Sequence, residues 1–491
     1  MQISRSNIPP QIIHIISTIE KAGFEAWVVG GCVRDLFLGR KPKDWDITTN
    51  ATPEMLQSLF ENTFYTNTFG TVGIVLDGEE DESLKIVEAT PYRTEGPYSD
   101  ARRPDAVIFS THIEDDLKRR DFTVNAFAYN PTNGKLLDLF DGAGDVANGV
   151  IRAVGNPRKR FMEDALRILR AVRIAAELNF TIEEGTERAM QDAAPQLAKI
   201  SQERIRDEFV RIINSTQPKN ALELAQRLGI LSFIVPELER GIGVEQNQAH
   251  SYDVYEHNLR ALQHAADKSW SFQVRISALL HDIGKPAARR RSEEKNDWTF
   301  HGHEVVGAKM TKKILERLKF SRETIDTTQN LVRWHMFFSD PDKVTLSAVR
   351  RIISNVGKEH VENLINLRIC DRIGTGRPKE QPFRLRKYQA MIAQALKDPI
   401  SVTMLALDGK QLMDVTREKP GPRLGWMLHA LLEEVLDDSA KNTKEYLAER
   451  AQELSRLDDR ELLAIGKEGK ERKEKEEGEG IKEINKKYFV T

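Results

Sequence analysis

The sequence changes in character after about residue 150, and this change limits the fold more than any other feature. In residues 1–150, short β-rich runs such as residues 26–29 and 72–76 alternate with helical stretches. From about Phe161 onward helix dominates, as in residues 165–178, where apolar residues recur at helical spacing with arginines on the other face. The pattern predicts an α+β fold, in which a region with a mixed β-sheet and helices is followed by all-α units.

Length and composition narrow the class of protein. A chain of 491 residues is too long for one ordinary core, so several packed units are expected. No apolar run approaches the roughly 20 residues that span a bilayer, which argues against a membrane role. The two cysteines, Cys32 and Cys370, and a start without a secretory pattern indicate a cytoplasmic location. Because 73 Lys and Arg nearly balance 75 Asp and Glu, a polyanionic partner would have to be bound by local patches.

Turn signals and composition divide the chain into five predicted segments. Pro236, followed by Gly241 and Gly243, indicates one joint, and residues 374–382 indicate another. Residues 466–487 are nearly all Lys, Glu and Gly, which is typical of a solvated helix or a frayed tail. The predicted segments are residues 1–150, 151–235, 236–375, 376–465 and 466–491.

Polar residues near the N-terminus predict a site for a metal-bound nucleotide. Gly30 and Gly31 follow an apolar strand and open a helix, so backbone amides can approach a phosphate closely. Asp44 and Asp46 come next, and two carboxylates at i and i+2 on a strand point to the same side and can hold one Mg²⁺. Glu88, on a later strand-like run, is the candidate third acid of a two-metal site. Taken alone, an Asp-x-Asp sequence is more often a pair of surface acids.

Five motifs follow one another over about the first 210 residues. They are Gly-Gly-x-Val-Arg-Asp at 30–35, Asp-x-Asp at 44–46, Arg-Arg-Asp-Phe-Thr-Val-Asn-Ala at 119–126, residues 138–152, and Glu-Asp-Ala-Leu-Arg at 163–167. Their order and spacing resemble the family of class II tRNA nucleotidyltransferases and bacterial poly(A) polymerases. In that context the Asp-x-Asp sequence is expected to bind metal.

The resemblance implies roles for further residues of these motifs. Arg34 and Asp35 would hold the triphosphate and brace the loop. Asp121 and Asn125 would lie beside the ribose and select ribonucleotides, with Arg120 nearby. These residues are therefore expected to bind the nucleotide.

A predicted helix carries the residues expected to choose the base. Asp164 and Arg167 lie three apart and would share one face. Cytosine and adenine each present an amine donor beside a ring-nitrogen acceptor, so an Asp–Arg pair can bind either base, and the resemblance implies this role. Arg170 and Arg173 extend a positive stripe that suits triphosphate or RNA, although a salt-bridged surface is the alternative. Residues 93–109 resemble the family's flexible loop, which helps in switching from C to A addition.

Histidines and aspartates of the second half follow an order that points to a metal site: His257, the adjacent His281 and Asp282, and later Asp371. This order resembles the HD superfamily of metal-dependent phosphohydrolases. Imidazole with carboxylate suits Mn²⁺, Ni²⁺, Fe or Mg²⁺ more than a thiolate-preferring metal, and His303 and His335 could support a second ion. Two roles stay open, hydrolysis of a substrate such as the 2′,3′-cyclic phosphate of damaged tRNA ends, or a degenerate scaffold for RNA.

Together these features predict a nucleotidyltransferase head, a helical neck that binds base and RNA, an HD body, a tRNA-binding tail and a charged extension, in the order of the five segments. The predicted activity is template-independent addition of CCA to the 3′ end of tRNA from CTP and ATP, with Mg²⁺ at the head and a divalent transition metal or Mg²⁺ at the HD site. The alternatives are an A-adding enzyme or a poly(A) polymerase on the same scaffold, an enzyme acting mainly through its HD domain, and an RNA-binding regulatory protein with inactive sites.

Overall fold

The computed structural model describes residues 3–65, 70–95, 107–247, 251–292, 296–337, 344–463 and 465. The chain folds into two units, Met1–Glu239 and Arg240–Thr491. The division between them falls close to the predicted joint at Pro236, whereas the division into five segments stays a prediction. Most of the predicted flexible loop, residues 96–106, and the charged extension, residues 466–491, lie outside the described residues.

A mixed β-sheet organises the head of the first unit. The strands of this unit are β1 (Ala26–Val29), β2 (Asp46–Thr49), β3 (Thr63–Tyr65), β4 (Val72–Val75), β5 (Ile86–Pro91), β6 (Arg93–Glu95), β7 (Val107–Phe109), β8 (Phe127–Asn130), β9 (Lys135–Asp138), β10 (Val150–Ile151) and β11 (Thr181–Ile182). Seven of them form one sheet in the order β3-β4-β5-β2-β1-β8-β9. Strands β2 and β5 run parallel, and the other neighbours in this sheet run antiparallel.

Helices cover the sheet and continue beyond it to the end of the first unit. They are α1 (Pro10–Lys21), α2 (Gly31–Phe37), α3 (Pro53–Leu59), α4 (Ile113–Lys118), α5 (Gly142–Asn148), α6 (Pro157–Glu163), α7 (Leu166–Leu178), α8 (Glu184–Ala193), α9 (Gln202–Ile213), α10 (Pro218–Arg227) and α11 (Pro236–Glu239). The spacing of isoleucines explains why α1 forms and packs: Ile12, Ile15, Ile16 and Ile19 lie on one helix face and are all buried. Burying each such side chain contributes roughly 1.5–3 kcal/mol.

Within its described residues the second unit is helical, as predicted, apart from one short hairpin. Its helices are α12 (Val254–Asp267), α13 (Phe272–Leu280), α14 (Lys285–Ala288), α15 (His303–Arg317), α16 (Arg322–Trp334), α17 (Leu346–Val356), α18 (Val361–Gly374), α19 (Phe383–Ala395), α20 (Gly409–Thr416), α21 (Pro422–Asp437) and α22 (Lys444–Ser455). The hairpin consists of β12 (Arg290–Ser292) and β13 (Asp297–Thr299). A single apolar core continues from α12 to α22, and the rings of Phe337 and Tyr388 stack within it at 4.8 Å. No described helix is long and apolar enough to cross a membrane.

Candidate functional site

A glycine turn joins β1 to α2 and lines the head site. Gly30 has a φ of +84°, a left-handed conformation that glycine adopts without steric cost. A Cβ at this position would lie 3.1 Å from Nη1 of Arg120 and 3.6 Å from Oδ2 of Asp46. The turn therefore brings bare backbone against one guanidinium and one carboxylate, and α2 begins at Gly31 as the sequence predicts.

Carboxylates gather next to this turn. Strand β2 begins at Asp46, so Asp44 lies just before the strand, and the prediction that both aspartates lie on one strand is wrong. The two carboxylates are nevertheless close enough to interact. Burial and the negative charge of Asp44 raise the pKa of Asp46 from 3.8 to about 7. The parallel register places Glu88 of β5 directly beside Asp46. Burial and Asp44 also raise the pKa of Glu88.

Oxygen ligands whose charges repel one another fit a hard cation such as Mg²⁺. The pair Asp44 and Asp46 therefore fits the predicted magnesium site. Among the residues that the structure describes, however, the groups with three or more ligand atoms within 4.8 Å of one another both belong to the second unit. Glu88 as a third ligand of the head stays a prediction.

A chain of hydrogen bonds links the predicted nucleotide-binding residues. Arg34 donates through Nη1 to Oδ1 of Asn125 at 2.8 Å and through Nη2 to Oδ1 of Asp35 at 2.8 Å. Asn125 donates to Oδ1 of Asp121 at 3.4 Å, and Arg170 donates to Oδ2 of Asp121 at 2.7 Å. Although burial favours the protonated form of Asp121, the Arg170 guanidinium holds the pKa of that carboxyl well below its usual range. The structure thus brings these predicted residues into one network with Asp121 ionised.

One residue that sequence reasoning missed holds the paired arginines of the third motif. Asp116 is fully buried and accepts hydrogen bonds from Nε of Arg119 at 2.9 Å and from Nη2 of Arg120 at 3.0 Å. Burial opposes its ionisation, but the two guanidinium groups lower the pKa of Asp116. The signal was present in the sequence, since an acid three and four residues before two arginines can pair with both on a helix.

The two residues predicted to read the base, Asp164 and Arg167, are not arranged as predicted. Asp164 lies between α6 and α7 with extended backbone, and its Oδ1 accepts a hydrogen bond from the backbone amide of Leu166. The expectation that Asp164 and Arg167 share one continuous helix is therefore wrong. Asp164 accepts a hydrogen bond at 2.7 Å from Arg204 of α9, whereas Arg167 donates at 2.7 Å to Glu163.

The arginines of the predicted positive stripe on α7 are ion-paired. Arg173 is buried and donates to Glu208 at 2.7 Å and to Glu177 at 3.0 Å. Arg167 is also buried, and Arg170 pairs with Asp121. The structure favours the salt-bridged alternative to an open binding surface for these three arginines.

The predicted metal ligands of the second unit lie at or near the ends of helices. Nε2 of His257 lies 2.9 Å from Nε2 of His281, the residue that follows α13. Asp282 places Oδ2 at 3.0 and 3.3 Å from these two nitrogens, and Asp371 places Oδ1 at 3.5 and 3.7 Å from them. Nδ1 of His281 donates to the carbonyl of Ala278 at 2.8 Å, which directs the Nε2 lone pair towards the other ligand atoms.

A second cluster shares one aspartate with the first. His303 and His335 place their Nε2 atoms 3.1 and 3.6 Å from Oδ1 of Asp282, and these two nitrogens lie 3.4 Å apart. Each ring donates through Nδ1 to a backbone carbonyl, at Phe300 and at Val332. Oδ2 of Asp282 therefore faces the first cluster, and Oδ1 faces the second. Imidazole nitrogens and carboxylates in these positions fit two divalent ions.

Gly284 and Lys285, which follow His281 and Asp282 closely in the sequence, explain how the two clusters meet. A Cβ on Gly284 would lie 2.2 Å from the carbonyl oxygen of His303, so only glycine allows α15 to approach Asp282 this closely. Lys285 is buried, with Nζ 2.5 Å from Oδ2 of Asp282 and 2.6 Å from Oε1 of Gln246. Sequence reasoning gave Lys285 no role, although it directly neutralises the shared carboxylate.

Carboxylates beside a glycine turn on a mixed sheet, together with buried His/Asp clusters in the helical second unit, define a nucleotidyltransferase that carries an HD-type domain. Residues 26–152 match the family described as "Poly A polymerase head domain", residues 179–242 match "Probable RNA and SrmB- binding site of polymerase A", and residues 254–375 match "HD domain".

Individual proteins give the same assignment. The CCA-adding enzyme of Lactobacillus helveticus is 33% identical over 441 residues, which cover 90% of this chain and 96% of that enzyme. The chain belongs to the CCA-adding enzyme family. The CCA-adding enzyme of Leuconostoc mesenteroides is 46% identical over 246 residues, which cover 49% of this chain and 60% of that enzyme. The structure of the Bacillus stearothermophilus CCA-adding enzyme in complex with CTP is similar with a TM-score of 0.67 and 27% identity, over 91% of this chain and 98% of that one.

Proposed function

We propose that this chain adds C, C and A in turn to the 3′ end of tRNA, using CTP and ATP and a magnesium site formed by Asp44 and Asp46. The observation that carries the proposal is the interaction of these two carboxylates beside the Gly30 turn, in a head that matches its family over residues 26–152. The similar enzyme from Bacillus stearothermophilus was solved with CTP, which supports the same class of substrate here.

The side chains around the glycine turn have different proposed roles in phosphoryl transfer. Magnesium held by Asp44 and Asp46 would neutralise the triphosphate, activate the attacking 3′-hydroxyl and stabilise the leaving pyrophosphate. Arg120, which approaches Gly30 closely, brings a positive charge to the place where backbone amides can receive a phosphate. Arg34 is held by Asp35 and Asn125, so its guanidinium is oriented before a nucleotide binds.

Asp121 and Asn125 form the proposed ribose site. The ionised Asp121 carboxylate can accept hydrogen bonds only, and a ribose 2′-hydroxyl is a donor that deoxyribose lacks. Arg170 fixes this carboxylate through Oδ2, while Asn125 contacts it through Oδ1. A rigid acceptor in this place would favour ribonucleotides over deoxyribonucleotides.

Asp164 and Arg167 are the proposed readers of the base. Arg204 and the Leu166 amide fix the Asp164 carboxylate, and Glu163 fixes the Arg167 guanidinium, so each side chain is oriented without a nucleotide. An acceptor beside a donor complements cytosine and adenine. Uracil and guanine reverse this order along their Watson–Crick edge and would leave polar groups unpaired at about 1–3 kcal/mol each.

The HD unit has a second proposed activity, hydrolysis of phosphate esters such as a 2′,3′-cyclic phosphate. The observation that favours it over a scaffold role is the sharing of Asp282 between two clusters of ligands. Two divalent ions held there would polarise the phosphate and activate a water molecule. Water would add across one P–O bond of the cyclic ester, leaving a phosphomonoester and a free hydroxyl. Lys285 would keep Asp282 ionised.

The proposed CCA addition is tested with purified protein and three tRNAs, ending before the CCA sequence, after one C and after two. Each is incubated with labelled CTP, with ATP and with both. With both nucleotides we expect each tRNA to be completed to CCA, by addition of C, C and A to the first, C and A to the second and A to the third, and no addition by Asp44→Ala. Asp77→Asn, an exposed acid of the same head, is the matched control and should retain activity. Addition of A alone would identify an A-adding enzyme, and long A tails would identify a poly(A) polymerase. Either result would contradict the proposal.

A further inference from the structure

A fully buried aspartate, Asp116, lies beside the head site and has no role in the proposed phosphoryl transfer. It belongs to α4, whose residues Ile113 and Leu117 pack into the same apolar core as Val29 of β1. Val29 directly precedes the Gly30 turn. Because this core is closely packed, the backbone of Asp116 is fixed relative to the turn.

Each carboxylate oxygen of Asp116 holds one guanidinium group. Oδ1 accepts hydrogen bonds from Nε and Nη2 of Arg119 at 2.9 and 2.6 Å. Oδ2 accepts hydrogen bonds from Nε and Nη2 of Arg120 at 3.3 and 3.0 Å. Two hydrogen bonds from one edge of a planar guanidinium group restrict its orientation as well as its position. Asp116 therefore orients both arginine side chains.

The orientation of Arg120 matters because its third nitrogen lies against the glycine turn. Nη1 is 3.1 Å from the position that a Cβ on Gly30 would take, and it donates a long hydrogen bond to the carbonyl of Asn125 at 3.5 Å. This nitrogen carries two N–H groups, so one remains for a phosphate bound at the turn. The Arg120 side chain is 17% exposed, which leaves it accessible to a ligand but mostly shielded from water.

A second carboxylate lies close enough to compete for Arg120. Oδ2 of Asp46 is 3.6 Å from the same Cβ position on Gly30. Burial and Asp44 raise the pKa of Asp46, and the positive charge of Arg120 opposes this rise. A guanidinium group released by Asp116 would be drawn to Asp46 and would no longer be available to a phosphate.

The backbone at the end of α4 is held by contacts that do not involve the Asp116 side chain. The carbonyl of Arg119 accepts a hydrogen bond from Nη2 of Arg167 at 3.2 Å. The carbonyl of Lys118 accepts a hydrogen bond from Arg160. Removing the charge of Asp116 should therefore release the arginine side chains without displacing this backbone.

We propose that Asp116 is a positioning residue for nucleotide binding, which orients Arg120 towards the triphosphate of the incoming nucleotide. The inference rests on the proposed binding of nucleotides at the head, and it adds a residue that acts on the substrate through another side chain. An ion pair that only stabilised the fold would not require Arg120 for its effect on binding.

The test measures nucleotide binding by the full chain with Mg²⁺ and without tRNA, so that no addition takes place. Isothermal titration calorimetry gives the Kd of ATP, and displacement of ATP gives the Kd of adenosine, which has the same base and ribose but no phosphate. Asp116→Asn keeps the shape of the side chain but presents an NH₂ group to one guanidinium. It should raise the Kd of ATP about tenfold, because an oriented, charge-assisted hydrogen bond is lost, and leave the Kd of adenosine unchanged.

The matched control is Glu20→Gln, which neutralises a half-buried acid of the same head. Glu20 accepts hydrogen bonds from Asn130 and Thr132, at the end of β8 opposite to Asn125. This variant should bind ATP and adenosine as wild type does.

Two further variants separate positioning from a structural role. In an Arg120→Ala background, Asp116→Asn should leave the Kd of ATP unchanged, because the residue through which it acts is absent. Asp116→Glu keeps the negative charge but moves the carboxylate by one methylene group. A structural ion pair would be rescued by this change, whereas a positioning residue should still show a raised Kd of ATP at a wild-type melting temperature.

Equal Kd values of ATP for wild type and Asp116→Asn overturn the inference. An equal rise for ATP and adenosine, or a further rise in the Arg120→Ala background, also overturns it, because Asp116 would then act on the site as a whole. If Asp116→Asn does not fold, Asp116→Glu decides by the same criteria. ATP is a substrate for CCA addition, A addition and poly(A) synthesis alike, so a wild-type protein that binds ATP but adds only A contradicts the proposed function alone. A wild-type protein that does not bind ATP contradicts both.

Discussion

Replacing Asp46 by Asn is expected to make the metal-free head more stable while abolishing nucleotide addition. Burial and the charge of Asp44 raise the pKa of Asp46 to about 7, so the folded protein resists ionising a group that ionises readily in the unfolded chain. Between pH 3.8 and 7 the folded state holds a proton that the unfolded state has lost. Stability therefore falls as pH rises through this range, which is the reverse of the usual behaviour of a salt-bridged aspartate. Asparagine has nearly the same shape and carries no charge to be penalised.

The magnitude follows from the part of this range that an experiment can cover. Well below pH 7 wild type loses about 1.4 kcal/mol per pH unit, at pH 7 about half of that, and above pH 7 the loss levels off. Wild type should therefore lose about 2 kcal/mol relative to Asp46→Asn between pH 5.5 and pH 8. Added Mg²⁺ should restore wild type at pH 8 and leave Asp46→Asn unchanged, because binding to the ionised carboxylates removes their repulsion.

Hydrogen exchange read by mass spectrometry can measure this effect in the head alone. Peptides that cover β2 and β5 are followed in EDTA at both pH values, after correction for the intrinsic pH dependence of exchange. Peptides from the second unit provide an internal reference. Asp77→Asn, which removes an exposed acid of the head, should follow wild type at both pH values. Identical pH dependence in wild type and Asp46→Asn would refute the reasoning, since Asp46 would then titrate as an ordinary surface acid.

Three further outcomes are expected. Asp44→Ala should lower the rate of nucleotide addition about a thousandfold or more while preserving the circular dichroism spectrum, because the lost group is the proposed metal ligand at an open site; incorporation close to wild type would exclude the assignment. Asp282→Ala should lose bound metal from both clusters, as measured by inductively coupled plasma mass spectrometry, together with any phosphoesterase activity, yet retain CCA addition; unchanged metal content would contradict the ligand role. Asp164→Ala should bind CTP normally but incorporate UTP about tenfold more readily relative to CTP, measured as single additions to tRNA; unchanged discrimination in this variant and in Arg167→Ala would show that the base is read elsewhere.

The sequence predicted those parts of the fold and the sites that depend on local order. The glycine turn between β1 and α2 was predictable because an apolar run, two glycines and a helical run are adjacent in the chain. His281 and Asp282 were predictable for the same reason, as they directly follow a helix. The distant candidate ligand Asp371 was assigned only through the resemblance to a known family, because nothing in its own segment distinguishes it from other acids on a helix.

Partners that meet through tertiary packing were not predictable in this way. Arg204 holds Asp164 from 40 residues away, and Glu208 holds Arg173 from 35 residues away, both from α9. Helical periodicity placed α7 correctly but could not show that its arginines were already neutralised. The interruption between α6 and α7 at Asp164 could have been predicted from the sequence, since aspartate favours the start of a helix, where its side chain can accept a hydrogen bond from a backbone N–H group.

Asp282 faces both clusters of candidate metal ligands, and this would make the occupancies of the two proposed metal positions interdependent. An ion at the first position would fix this carboxylate in its ionised form and final orientation, so that a second ion finds one of its ligands already in place. By reciprocity, the second ion would strengthen the first to the same extent. The HD unit would then pass from empty to doubly loaded over a narrow range of metal concentration. A titration of the apo protein followed by calorimetry should show this as binding steeper than that of two independent sites.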